Sequence, residues 1–217
     1  MWGLLIKDIQ IALKNKRIFL VWFGVTLIFL FANNDPVFGI SYSLFLMVIM
    51  LVGTISYDDF DNGMGFLMTL PITRKTYVME KYVLVFLGTL VTGAITLVIS
   101  MAYLLLHPEV MGMGDLVLTF VMLYAVMGIM ASIYLPFQLK YGAEKGRLVL
   151  IVAAAIIFLG VFLVRKIKVA AEQAANIGAM LNALSPVSLM VLMIGVMVVA
   201  LLLSIKISIG IVEKEEY

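Results

Sequence analysis

Long apolar blocks separated by short polar segments form the pattern of this 217-residue chain. A compact water-soluble core could not bury blocks of this length, whereas a membrane helix needs roughly 20 apolar residues. The pattern predicts one domain over residues 1–217, an all-α polytopic membrane protein. Its six predicted spans are Ile18–Ala32, Val37–Tyr57, Val83–Leu106, Leu116–Leu139, Leu148–Val164 and Val187–Ile209.

The first apolar block is short and is preceded by a segment with a different periodicity. Within Trp2–Arg17, apolar side chains recur at helical spacing and basic ones fall between them. The apolar positions are Trp2, Leu5, Ile9 and Leu13, and the basic positions are Lys7, Lys14 and Arg17. This segment, residues 1–17, is predicted to be an interfacial helix along the inner leaflet.

The Lys and Arg residues indicate the orientation, because cytoplasmic connections hold an excess of them. With both termini inside, the inner segments hold Lys7, Lys14, Lys16, Arg17, Arg74, Lys75, Lys81, Lys140, Lys145, Arg147, Lys206 and Lys214. The outer turns Asn33–Pro36 and His107–Asp115 hold none. Arg165, Lys166 and Lys168 are the exception, and they begin an outer segment, residues 165–186, that is expected to form short helices.

The amino-acid composition argues against several classes of function. Hydrophobic residues make up 64% of the chain and charged residues 13%, against about a quarter charged in soluble domains. The formal charge of +2 gives no support for nucleic-acid binding, and the absence of cysteine excludes disulfides and thiolate chemistry. The single histidine, His107, has no cluster of metal ligands beside it in the sequence. The chain is therefore not expected to be an enzyme or to bind a metal or cofactor itself.

The connection between the second and third predicted spans, Ser56–Tyr82, is the most patterned polar segment, and its residues 58–77 are the predicted cytoplasmic coupling loop. Phe66, Leu67 and Leu70 form an apolar cluster that ends at Pro71, and Thr73 is suited to cap the next helix. A short helix with an apolar face needs something to bury that face. Either a cytoplasmic partner covers the cluster, or the cluster dips into the inner leaflet.

Three parts of this connection carry a resemblance to a known family. They are the acidic pair Asp58 and Asp59, the run Leu70-Pro71-Ile72-Thr73-Arg74-Lys75, and the Lys81-Tyr82 pair that leads into a hydrophobic span. Together they resemble the first cytoplasmic loop of small bacterial permeases of the type-2 ABC transporter family. In outline the similarity extends over the whole chain. It implies a multi-pass protein of the bacterial cytoplasmic membrane.

The resemblance implies a permease that pairs with a second permease copy or paralogue and with two separate ATP-binding subunits. ATP and Mg would be bound by those subunits and not by this chain. The segment near residues 61–70 would be a coupling helix seated in the ATPase. The residues expected to contact or couple to the ATPase are Asp58, Asp59, Phe66, Leu67, Leu70, Pro71, Thr73, Arg74 and Lys75.

Permeases of this kind are similar to exporters of antimicrobial or amphipathic peptides and other hydrophobic compounds. Thr89, Thr92, Thr96 and Ser100 follow one another at spacings of three and four along the third span. That face is expected either to pack against another helix or to line a polar substrate pathway, and helix packing is the favoured interpretation. The alternative function is a non-transporting membrane anchor or regulatory subunit that docks a cytoplasmic partner through the same loop.

Overall fold

A computed structural model of the chain describes residues 1–14, 16–59, 63–69, 71–166 and 185–214. Side chains are described for these residues except 17, 18, 32, 33, 59, 66, 68, 143–151 and 153–166. Within the described ranges the fold is all-α, without strands, which confirms the predicted fold class. The helices are α1 Trp2–Lys14, α2 Lys16–Asn33, α3 Pro36–Val52, α4 Ile55–Asp59, α5 Gly63–Thr69, α6 Arg74–Leu106, α7 Met113–Lys166 and α8 Pro186–Lys214. Residues 167–184, where short outer helices were predicted, lie outside the described residues.

Four helical stretches of the described chain are long and apolar enough to cross a membrane. They are Pro36–Asp58, Arg74–Leu106, Met113–Gly142 and Pro186–Lys214, and they contain the second, third, fourth and sixth predicted spans. A shorter apolar helix, Phe19–Phe31, covers most of the first predicted span. The fifth predicted span lies in the helical part of α7 that follows Gly142. The count of six spans and their orientation stay predictions.

Helix α1 contacts the bundle through a face that holds a carboxylate, and its interfacial position stays a prediction. It ends at Lys14, and its buried residues are Leu4, Leu5, Asp8 and Ala12. Trp2 is 78% exposed and Leu13 54% exposed, so Leu5 lies on the inward face and these two do not. The reason is electrostatic, because the buried Asp8 carboxylate lies against the Lys81 ammonium group of α6.

The turn between α2 and α3 is tight and well capped. Asp35 is the N-cap of α3, and its carboxylate accepts a hydrogen bond from the Phe38 N–H at 3.0 Å. Pro36 occupies the first turn, where its missing N–H costs nothing. Asn34 has a positive φ of 53°, and its side-chain oxygen accepts a 2.6 Å hydrogen bond from the Tyr103 hydroxyl. The α2–α3 turn is thereby fixed to the far end of α6.

The bundle core consists of two clusters at its two ends. The loop end, defined here by α1, α4, α5 and the first turns of α6, has a core that includes Leu4, Val52, Ile55, Leu67, Tyr77, Val78 and Leu135. The far end has a core of Leu30, Ile40, Leu44, Tyr103, Leu104, Leu116 and Phe120. At the far end α3, α6 and α7 approach closely at Gly93, where a Cβ would lie 2.6 Å from Leu44 and 2.9 Å from Phe120.

Helix α7 contains one break, at Gly142, and one missing backbone hydrogen bond, at Pro136. Gly142 has φ 70° and ψ −173°, which is non-helical, and it breaks the helix there. Pro136 has no N–H and therefore leaves the carbonyl of Ser132, four residues earlier, without its usual helical partner. The Ser204 hydroxyl of α8 donates to that carbonyl. The proline thus creates the acceptor that joins α7 to α8.

Candidate functional site

The loop between the second and third apolar segments folds into two short helices and a capped helix start. Helix α4 ends at Asp59, α5 covers Gly63–Thr69, and α6 begins at Arg74. The Thr73 hydroxyl accepts a 3.1 Å hydrogen bond from the Thr76 N–H, which confirms the predicted cap. The 7-residue length of α5 means that packing, not intrinsic helix propensity, must hold it in place.

Asp58 is the most highly connected residue of this loop. Its side chain is only 4% exposed. One carboxylate oxygen lies 2.6 Å from the Lys81 Nζ and also accepts a hydrogen bond from the Tyr77 hydroxyl at 3.1 Å. The other oxygen is paired with the Lys7 ammonium group of α1. Asp58 therefore joins α4, immediately before the α5 segment, to both α6 and α1.

Asp58 belongs to a larger buried group, the charge cluster, which is defined by Lys7, Asp8, Asp58, Glu80 and Lys81. Lys81 is paired with Asp8 as well as with Asp58, and Lys7 lies 3.0 Å from the second Asp8 oxygen. Glu80 lies 3.6 Å from Lys81. Asp8 and Glu80 are fully buried and Lys81 is 1% exposed. The loop end thus buries three carboxyl groups and the Lys81 ammonium group, and the 31% exposed Lys7 pairs with them from the surface.

The electrostatics of this arrangement make it highly cooperative. A charge removed from water is tolerated only when it is paired and hydrogen-bonded, so loss of one member leaves another uncompensated. The cluster holds one more carboxyl group than ammonium groups. Neither Glu80 carboxyl oxygen has a hydrogen-bond partner among the described residues, so Glu80 is the carboxyl group left without one. The cluster joins α1, α4 and α6 through ionic contacts. None of its groups is arranged as a nucleophile with an adjacent base.

The remaining predicted loop residues occupy different environments. Leu67 is 8% exposed and packs, with Met64, into the bundle core, so the chain itself buries part of the apolar face of α5. Pro71 and Lys75 are exposed, and the Arg74 guanidinium donates to the Glu213 carbonyl at 2.7 Å. For Asp59 and Phe66 only the helical backbone is described, and Leu70 lies outside the described residues.

The hydroxyl row of α6 is directed into the protein. Thr89, Thr96 and Ser100 are buried, and the Thr96 hydroxyl lies 2.7 Å from the Ser43 hydroxyl of α3. The half-buried Thr92 donates to carbonyls of its own helix. Thr96 thus contacts a neighbouring helix, whereas the buried Thr89 and Ser100 hydroxyls have no hydrogen-bond partner among the described residues.

Sequence reasoning did not identify Lys7, Asp8 and Glu80 as members of a site. A signal for Asp8 was present, because it shares a helical face with Leu4, Leu5 and Ala12. A carboxylate on an apolar face predicts a cationic partner. Lys81 was noted only as part of a motif, and nothing in the sequence shows that α1 lies beside it. In the described part of the chain, no group of three or more His, Cys, Asp or Glu residues is placed to hold a metal ion.

Comparison with protein families gives one match. A family model described as "ABC-2 family transporter protein" matches residues 3–213 of the chain. No curated protein and no solved structure matches it.

Proposed function

The chain belongs to the ABC-2 family of transporter proteins, and from this premise we propose that it is the permease subunit of an ATP-driven exporter. In this proposal it is a multi-pass protein of the bacterial cytoplasmic membrane with six spans and both termini inside. Two separate ATP-binding subunits bind ATP and Mg and perform the hydrolysis. A second permease copy or paralogue completes the membrane assembly.

The observation that carries the proposal is the charge cluster. Asp58 is the penultimate residue of α4, five residues before α5 begins, and its carboxylate is paired with Lys81 of α6 and Lys7 of α1. Gly63 of α5 lies against the Asp58 backbone, where an added Cβ would be 2.8 Å from the carbonyl oxygen. A force applied to α5 by a nucleotide-driven subunit would therefore reach Asp58 and, through it, two long-range contacts. This arrangement suits α5 for the role of coupling helix.

The packing of α5 supports a division of its residues by role. Met64 and Leu67 are buried in the loop-end core and would hold the helix against the bundle. Pro71 and Lys75 are exposed and would contact the ATPase, together with Phe66 and Leu70. Arg74 bonds to the end of α8, so the same contact surface also reaches the last helix.

The proposed cargo is an amphipathic peptide or another hydrophobic compound. Apolar faces of the described helices support this class, since large side chains such as Val191, Leu202 and Val98 are more than half exposed and can meet lipid or an apolar cargo. The burial of Thr89, Thr96 and Ser100 within one chain favours the packing role for the α6 hydroxyl row over a substrate pathway.

The test is capture of the ATPase encoded beside this protein by the full chain in nanodiscs. Leu70→Ala/Pro71→Ala should reduce capture at least tenfold, because it removes apolar contact from the proposed docking surface. Asp58→Asn should retain capture but abolish stimulation of ATP hydrolysis by cargo, because it weakens the link to α6. Leu105→Ala, an exposed position at the far end, is the control and should change neither readout.

The outcomes separate the exporter from the alternative function. Unimpaired capture and transport by the Leu70/Pro71 variant would contradict the coupling-helix role. Loop-dependent capture without any cargo-stimulated hydrolysis would favour the non-transporting anchor or regulatory subunit.

A further inference from the structure

An open groove runs between α7 and α8 in the part of α7 that precedes the break at Gly142. Its volume is about 440 Å³, and its lining includes Ile133, Pro136, Phe137, Leu203, Ile207 and Ile211. These positions recur at spacings of three and four on each helix, so each helix contributes one continuous face. Ile133, Leu203 and Ile207 are 55%, 58% and 56% exposed. The groove is therefore an apolar channel that the described side chains leave uncovered.

Polar contacts join the two helices beside the groove. The Ser204 hydroxyl donates to the Ser132 carbonyl that Pro136 leaves free, and both serines line the groove. The Tyr82 hydroxyl lies 2.8 Å from Ser208, one turn further along α8. These bonds set the spacing of α7 and α8 and hold the groove open as a shaped site.

One end of the groove is cationic. It opens into an adjoining pocket of about 400 Å³ lined by Lys140, Lys206 and Lys214 together with Ile207, Gly210 and Ile211. No carboxylate is among these described lining residues. Lys140 is further positioned by the Tyr141 ring, with Nζ 5.0 Å from the ring centroid. Three ammonium groups thus converge where the apolar channel ends.

We propose that this groove binds one anionic phospholipid, with its phosphate among the three lysines and an acyl chain along Phe137, Leu203 and Ile207. A basic pocket between membrane helices, continuous with an apolar groove, matches the two chemical parts of such a lipid. A free phosphate ion would leave the apolar channel uncovered. A second copy of this chain would have to bring a carboxylate to the pocket, and substitution of the groove lysines would then dissociate a dimer. The site does not depend on the proposed export function.

Native mass spectrometry of the delipidated full chain in detergent tests the site. The probes are phosphatidylglycerol and phosphatidylcholine of the same acyl composition, titrated separately. Lys140→Gln/Lys206→Gln should weaken phosphatidylglycerol binding at least tenfold and leave phosphatidylcholine binding unchanged, because only the anionic headgroup uses the ammonium groups. Lys14→Gln/Lys16→Gln removes the same charge from exposed residues outside the groove and should bind like the wild type.

A steric variant tests the apolar half independently. Leu203→Trp should fill the channel and weaken binding of phosphatidylglycerol although all three lysines are intact. Equal losses in the groove and control lysine variants would show diffuse surface attraction and overturn the proposal. Equal wild-type affinity for the two lipids would also overturn it, as would a protein dimer that dissociates only in the groove variant, which would show that a second copy covers this face.

Discussion

Two buried polar networks begin at neighbouring residues of α6 and differ in kind. Lys81 belongs to the charge cluster, which joins α6 to α1 and α4 through ionic pairs. Tyr82 belongs to a hydroxyl network with Ser204 and Ser208, which joins α6 to α8 and, through the Ser132 carbonyl, to α7. One helix therefore connects to the loop side by charge and to the groove side by neutral hydrogen bonds.

The difference predicts which of the two networks better tolerates substitution of a single residue. A buried ion that loses its partner is left uncompensated, whereas a hydroxyl that loses one partner can rotate toward another. Loop-side contacts should therefore behave as one cooperative unit, and groove-side contacts as separate small contributions. This contrast suits a permease in which the loop side must move as a whole while the helices of the bundle adjust.

The largest expected effect is that of Lys81→Met. The substitution keeps the length of the side chain but removes the ammonium group that faces Asp8 and Asp58. Breaking a buried ion pair on one side costs about 3–5 kcal/mol. We expect a loss of unfolding free energy of that size in SDS–detergent mixed micelles, followed by circular dichroism.

Lys75→Met is the matched control, because Lys75 is exposed on the same helix and should cost less than about 0.5 kcal/mol. Equal effects of the two substitutions would show that the cluster is not a cooperative unit. In that case the proposed link from α5 to α6 loses its physical basis.

The charge cluster also shows what the sequence could and could not predict. Apolar blocks, the Thr73 cap and the tight Asn33–Pro36 turn are local features, and the structure has helices, a cap and a turn there. Contacts between Asp8 and Lys81 join residues 73 positions apart, and no local pattern encodes which helices become neighbours. The transporter family was predicted from the resemblance of the loop and topology to known permeases, because local patterns alone do not identify a family.

The loop shows the same limit of prediction from local sequence patterns. The short apolar helix was foreseen, but the apolar face was expected to need a partner or the leaflet, and Leu67 instead packs into the core of its own chain. Periodicity identifies an apolar face without identifying what covers it. The Pro136 acceptor was likewise missed, since a proline inside an apolar run reveals a free carbonyl but not the hydroxyl that occupies it.

An intermediate effect is expected for Ser204→Ala in the hydroxyl network. The substitution removes the donor to the Ser132 carbonyl, while Tyr82 keeps its contact with Ser208. A membrane helix–helix hydrogen bond contributes about 0.6 kcal/mol on average and at most about 1.7 kcal/mol. We expect a loss in that range in the same unfolding assay.

The matched rescue is the double variant Pro136→Ala/Ser204→Ala. Alanine at position 136 restores a backbone N–H, which can bond to the Ser132 carbonyl within α7. The double variant should therefore lose less from Ser204→Ala than the native background does. An unchanged penalty would show that the proline-generated acceptor does not account for the α7–α8 contact.

The smallest expected effect is that of Thr92→Ala, and it sharpens the contrast within α6 itself. The Thr92 hydroxyl donates to the Gly88 and Thr89 carbonyls of its own helix, so its loss removes no contact between helices. Alanine also has the higher helix propensity. We expect a change within about 0.5 kcal/mol, against a larger loss for Thr96→Ala, whose hydroxyl meets Ser43 of α3. Transport by the assembled exporter gives the decisive second readout. If the hydroxyl row serves packing, Thr92→Ala leaves the range of transported cargo unchanged, whereas an altered cargo range at unchanged stability would assign Thr92 to a substrate pathway.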